Sequence, residues 1–193
     1  MREASDAELI RASLEDPERF GAVFERHWEA VRRYAQRRAG RQAGEEVAAR
    51  TFEVAFRIRG SYRAELASAR PWLLGIATNL IGRHLRAERA RLRALARVPP
   101  GRADAPPDER AVAAADAARL APALAAALAE LEPRDRDVLL LRAWGDLTYA
   151  EIAVALAIPE GTARSRLHRA RRELRERLGG VAGIPGQEEE GRA

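Results

Sequence analysis

Apolar residues recur with a helical period along almost the whole chain. In FGAVFERHWEAVRRYAQRRAG, residues Phe20, Val23, Phe24, Trp28, Val31 and Tyr34 fall on one face, and Gly40 marks the stop. EEVAARTFEVAFRI repeats the pattern with Val47, Phe52, Phe56 and Ile58. GSYRAELASA has no period and reads as a loop, after which RPWLLGIATNLIGRHLRAERARLRAL resumes as a long helix with Pro71 tolerated in its first turn. VPPGRADAPPDER interrupts the pattern with four prolines and a glycine, the composition of a linker. Alanine-rich AVAAADAARLAPALAAALAELE is helical but interrupted at Pro122, and Pro133 opens a further helix that closes at Gly145. No segment alternates with period two for long enough to make a strand. The expected fold is all-α, with two small helical domains at 8–92 and 112–178. A flexible linker over 93–111 joins them, and a disordered Gly-rich acidic tail follows over 179–193.

The most informative stretch is LTYAEIAVALAIPEGTARSRLHRARREL. Thr148 followed by Glu151 is the spacing of a capping box, in which hydroxyl and carboxylate each bond the other residue's amide. Ile152, Ala153 and Leu156 then face inward, AIPEG turns the chain, and Pro159 suits the start of a second helix. Ala163, Leu167, Ala170 and Leu174 give that helix a buried stripe, so Arg164, Ser165, His168, Arg169 and Arg171 are left on its open face. This is the logic of a helix-turn-helix, whose second helix enters the major groove. Arginine suits that role because it bonds guanine O6 and N7 together, or clamps phosphate. A basic amphipathic helix for a membrane or a partner protein is the competing reading. The turn has one local conflict: its first residue wants a left-handed backbone and hence glycine, and here it is Ala157.

Charge placement changes the picture more than total charge. All 34 basic residues are arginine, and the net charge is +5. Residues 1–92 carry +5, 93–132 carry −1, 133–178 carry +3 and 179–193 carry −2. The excess sits in two blocks, which suggests two places that meet a polyanion. For most single arginines, pairing with glutamate on a solvated helix face remains the alternative. With no cysteine the chain has no disulfide or thiolate zinc site. No apolar run nears the ~20 residues that span a bilayer, and MREASDAELIRASLED lacks an apolar signal core, so a soluble cytoplasmic protein without membrane insertion is expected. No histidine–carboxylate spacing suggests a metal, no base accompanies Ser165, and no Gly-rich phosphate loop occurs; no cofactor and no catalytic residue is expected.

The helix-turn-helix stretch, preceded by LEPRDRDVLLLRAW, resembles region 4 of bacterial RNA polymerase sigma factors, most of all the extracytoplasmic-function subfamily. AGEEVAARTFEVAFRI resembles region 2.2 of that family, and RPWLLGIATNLIGRHLRAERAR its regions 2.3 and 2.4. The resemblance covers roughly 17–92 and 112–178. It implies a specificity subunit and not an enzyme, with a region 2 helical bundle that docks on the β′ clamp helices of core polymerase and a region 4 that docks on the β flap. Carried over by motif, Glu45, Glu46, Thr51 and Phe52 lie on the docking helix; core packing is the other role open to Phe52. The family often has Asp where Glu46 stands and Gln where Ala49 stands. Its promoter-melting surface maps to the loop from Tyr62 and Arg63 to Ala69 and to the helix that follows. Asn79, Arg83 and Arg86 there would contact the −10 element, although Asp is frequent at the position of Arg83. Trp72 lies near that surface or in the core. On the second domain Thr162, Arg164, Ser165, Arg166, His168, Arg169 and Arg171 would contact the −35 element. His27 is expected to be structural or on a partner surface, and His84 to touch phosphate. Two-domain members are commonly restrained by an anti-sigma protein. A stand-alone helix-turn-helix regulator that uses 1–92 to dimerise is the alternative function.

Overall fold

The computed structural model describes residues 4–63, 67–95 and 115–178. Among these residues the secondary structure is helical throughout. The helices are α1 (Asp6–Ala12), α2 (Phe20–Ala39), α3 (Arg41–Ile58), α4 (Arg70–Leu95), α5 (Ala115–Glu130), α6 (Pro133–Ala143), α7 (Tyr149–Leu156) and α8 (Glu160–Leu178). Short 3-10 turns occupy Pro17–Arg19 and Arg59–Ser61. The expected linker lies outside the described residues from 96 on, and α4 runs through its first three positions. The expected tail lies outside them as well.

The structure departs from the sequence pattern in three places. The N-terminal segment, read only as charged, forms α1, because Ser5 and Glu8 make a reciprocal capping box that satisfies its first amides. Pro122 does not interrupt α5, which continues through it to Glu130 with the proline exposed; a proline removes one helical hydrogen bond without necessarily ending a helix. Phe24 and Ile58 belong to apolar stripes yet remain about two-fifths exposed.

Contacts divide the described residues into two units. The first takes in those of Met1–Ala103 and Leu140–Arg164. Its core is built where α2, α3 and α4 pack on one another. Val23, Val31, Tyr34 and Ala35 of α2, Ala48, Phe52 and Ala55 of α3, and Leu73, Leu74, Ala77 and Ile81 of α4 are buried there. The Tyr34 hydroxyl meets Thr78 Oγ1 at 2.8 Å, which satisfies both polar atoms in the interior. Gly40, at φ 80°, lets the chain double back between α2 and α3. Gly44 lets the two helices touch: a β-carbon there would overlap the backbone of Gln36.

In the same unit α7 packs on α4. A β-carbon on Gly75 would overlap the Ala155 carbonyl, so this contact is backbone against backbone. Arg70 donates from Nη2 to the Gly145 carbonyl at 2.8 Å, and its buried Nε has no partner among the described residues. The second unit takes in the described residues of Asp104–Leu139 and Ser165–Ala193. It buries Ala127, Leu131, Val138, Leu139, Leu167 and Ala170.

The end of α7 forms as the sequence foresaw. Thr148 and Glu151 make the capping box. Ala157 stands at φ 51°, ψ 49°, while Ile158 donates to the Ala153 carbonyl and Ala157 to that of Val154. That is a Schellman closure with alanine where glycine is favoured. Ala157→Gly relieves the left-handed strain of a β-carbon and is expected to raise stability by roughly 0.5–1 kcal/mol. Urea denaturation of the two proteins measures it, and an unchanged or lower midpoint would show that the turn carries no strain.

Candidate nucleic-acid interface

The second helix of the pair, α8, sorts its residues cleanly. Ala163, Leu167 and Ala170 are buried and Leu174 half-buried. Arg164, Ser165, His168, Arg169 and Arg171 are exposed, and Thr162 and Arg166 are half-buried. The candidate −35 residues therefore occupy the open side, but they are not equivalent. Arg164 donates to Glu160 Oε1 at 3.1 Å and lies over the Tyr149 ring, 5.3 Å from its centroid. These are surface contacts that a base edge can replace.

Arg169 is held differently. It makes a two-pronged ion pair with Asp135 of α6, with Nη2 2.7 Å from Oδ1 and Nε on Oδ2. Asp135 is wholly buried. Hydrogen bonding to Asp135, then its charge, pushes the Arg169 guanidinium above its already high value. A fork–fork pair of this kind fixes a side chain in one geometry. Arg169 thus ties α8 to α6, and the sequence pattern, which showed only its exposure, missed this partner.

The candidate −10 residues lie mostly along α4. Trp72, Asn79, Arg83 and Arg86 are spaced seven, four and three apart, which places them in one line on the helix. Asn79, Arg83 and Arg86 are exposed, while Trp72 is half-buried with its ring 5.0 Å from that of Tyr62. Arg63 is exposed beside them. A cleft of about 510 Å³ at this end is lined by Ser61, Arg63, Trp72, Val154, Ile158 and Pro159, among others. The rest of the candidate loop, residues 64–66, lies outside the described residues. His84, on the neighbouring face of α4, is half-buried and lines a separate polar cleft with Glu46, Glu88 and Arg91.

The docking set divides. Glu45 and Glu46 are exposed on α3. Thr51 is wholly buried and donates to the Val47 carbonyl at 2.8 Å. Phe52 is 5% exposed and packs edge-on against Phe24, with Trp28 beside it. In this chain Phe52 is therefore a core residue, and any effect it has on a partner passes through the Phe24–Trp28 surface that it supports.

A second buried carboxylate escaped the sequence reading. Asp6 of α1 is 3% exposed. It accepts from the Ala69 amide at 2.7 Å and from Arg26, lies 2.7 Å from His27 Nε2, and takes a longer bond from Ser68 Oγ. Burial alone would raise its pKa, but the Ala69 amide, His27 and Arg26 outweigh that and hold it below the ordinary value. Burial, and then the charge of Asp6, raises the Tyr62 phenol. His27 is thus a structural partner inside the bundle. Among the described residues no group of three or more His, Cys, Asp or Glu could hold a metal, and no helix is long and apolar enough to cross a membrane.

The described residues, all-helical in their secondary structure, combine a helix-turn-helix with a separate arginine-lined helix, an arrangement of the kind used by DNA-reading proteins. Comparison with known proteins narrows the class. The family model described as sigma-70 region 2 matches residues 23–91, and that described as sigma-70 region 4 matches residues 122–174. The ECF RNA polymerase sigma factor SigE of Mycolicibacterium smegmatis is 35% identical over 162 residues, which are 81% of this chain and 60% of that protein. The ECF RNA polymerase sigma factor BldN of Streptomyces coelicolor is 28% identical over 171 residues, 86% of this chain and 63% of that protein. The chain spans about three-fifths of the length of these curated relatives. Among solved structures, that of CnrH in complex with the cytosolic domain of CnrY is similar in fold, with a TM-score of 0.61, 24% identity and coverage of 93% of this chain and 100% of that one. So is the sigma factor RpoE of Bartonella quintana with the anti-sigma factor NepR, with a TM-score of 0.58, 19% identity and coverage of 86% and 99%. The chain belongs to the sigma-70 family, and the relatives named here are members of its extracytoplasmic-function branch.

Proposed function

We propose that this chain is the promoter-specificity subunit of a bacterial RNA polymerase, which brings the core enzyme to −35 and −10 elements and helps to open the latter. The observation that carries this reading is the presence of two separate DNA-suited faces in one chain, in the order of sigma regions 2 and 4. One is the open side of α8, with Arg164, Ser165 and His168; the other is the line of Asn79, Arg83 and Arg86 on α4. Opening a duplex costs a few kcal/mol of unstacking, which aromatic surfaces and phosphate contacts offset. Tyr62 and Trp72 supply the aromatic surface, and Arg63, Arg83 and Arg86 the cations.

Functional boundaries at 8–92 for docking and −10 reading, and at 112–178 for −35 reading, fit this role. Glu45 and Glu46 meet the β′ clamp helices, and the second segment meets the β flap. The subunit acts without catalysis or cofactor, in the cytoplasm where polymerase works. An anti-sigma protein restrains it, as its fold neighbour RpoE is found in complex with the anti-sigma factor NepR.

Run-off transcription from a promoter library with purified core polymerase tests the reading. Initiation at a defined promoter set that requires this chain is the expected outcome. Tight binding of the isolated chain to duplex DNA, with no change in polymerase initiation, would instead establish a stand-alone regulator.

A further inference from the structure

The Asp6 carboxylate joins three segments that are distant in sequence. Its own helix, α1, is seven residues long and capped at Ser5. Arg26 and His27 approach it from α2, and Ser68 and Ala69 from the residues that lead into α4. The Ala69 bond matters most for geometry. The Ala69 carbonyl accepts the first helical bond of α4, from Leu73 at 3.0 Å. Its amide has no partner inside the helix, and a carboxylate 63 positions away in the chain takes that place. Ser68 accepts in turn from the Arg70 amide at 3.2 Å. A buried carboxylate with several charge-assisted bonds is a stiff fastener. What it fastens is the first turn of the helix that carries Trp72, and it lies close enough to Tyr62 to raise that phenol's proton affinity.

We infer that Asp6 is a positioning residue for promoter opening: it sets the start of α4, and with it the Tyr62–Trp72 aromatic pair, at the place where the unstacked base is received. The inference rests on the promoter-opening function proposed above. Asp6 touches no DNA; it acts through Ser68, Ala69 and the α4 axis. Misplacing an aromatic surface by about an ångström costs a bound geometry far more than it costs the fold.

The test uses holoenzyme reconstituted with the full chain carrying Asp6→Asn or Ser68→Ala. The asparagine variant keeps the shape but removes the charge and turns one acceptor into a donor. The serine variant removes the hydroxyl's bond to Asp6 and the one it accepts from the Arg70 amide, at a half-buried position, and leaves the carboxylate and its Ala69 bond in place. Opening is read by the fluorescence of 2-aminopurine in the −10 element of a linear promoter, and initiation on the same promoter with that segment already mismatched into a bubble. The expected result is about a tenfold loss of opening for Asp6→Asn and a smaller loss for Ser68→Ala. The pre-opened template should restore initiation by both variants to near the wild-type level. Wild-type opening by Asp6→Asn would overturn the inference. So would equal loss on duplex and bubble templates by both variants, because that is the signature of a damaged fold. Failure of the wild-type chain to support promoter-dependent initiation would instead sink the function on which the inference stands.

Discussion

Gly44→Val is expected to unfold the first unit at markedly lower denaturant than wild type. At position 44 a β-carbon falls on the Gln36 backbone, and neither helix can yield by turning a side chain. α2 and α3 must separate, and the buried pairs around Ala35, Val47 and Ala48 lose contact. Overpacking against backbone costs about 3 kcal/mol, a large fraction of the stability of a small domain. Gly21 supplies the control, because a β-carbon there meets nothing within 4 Å. Gly21→Ala on the exposed side of α2 should stabilise by roughly 0.5–1 kcal/mol, from helix propensity alone. Urea titrations of the three proteins measure both effects. A destabilisation of similar size at the two positions would mean that the α2–α3 approach is not closed at Gly44.

The second large effect separates two arginines that look alike in sequence. Arg164→Ala removes an exposed guanidinium whose protein contacts are replaceable. Promoter binding by the holoenzyme should weaken by about 1–3 kcal/mol at one −35 base and little at the alternatives to that base. Arg169→Ala leaves the wholly buried Asp135 without its partner. Its main effect should be a melting temperature lower by about 5 °C or more, with promoter preference unchanged in the protein that remains folded. Thermal unfolding and binding to a panel of −35 variants distinguish the two. A base-dependent loss for Arg169→Ala at unchanged melting temperature would return Arg169 to the reading face.

What could be read from sequence was what is local. The capping box of Thr148 and Glu151, the left-handed Ala157 and the stripe of Ala163, Leu167 and Ala170 are fixed by residues a few positions apart, and each stands in the structure as the pattern required. The long helix from Arg70 to Leu95 was legible for the same reason. Two buried carboxylates were not. Asp6 finds its partners 20 to 63 positions away and Asp135 finds Arg169 at 34, and no periodicity encodes such pairings. Thr51 and Phe52 were placed on a docking helix by resemblance, which names the helix but not the side of it that faces inward. The helical period did put Phe52 on the apolar side of α3, and that simpler signal agreed with its burial.

α4 is at once a core beam and a contact strip. One side is locked by Leu73, Leu74, Ala77, Thr78 and Ile81, each at most 1% exposed. The opposite line, from Asn79 to Arg86, cannot stretch without breaking that packing. At 1.5 Å of rise per residue the strip is about 10 Å long, the axial length of roughly three base steps of a duplex that rises about 3.4 Å per step. The helix therefore acts as a ruler of fixed length. Under the proposed −10 role, contacts from this strip would cover about three base steps of duplex, and any wider preference would have to come from residues off its edge, such as Tyr62 and Arg63.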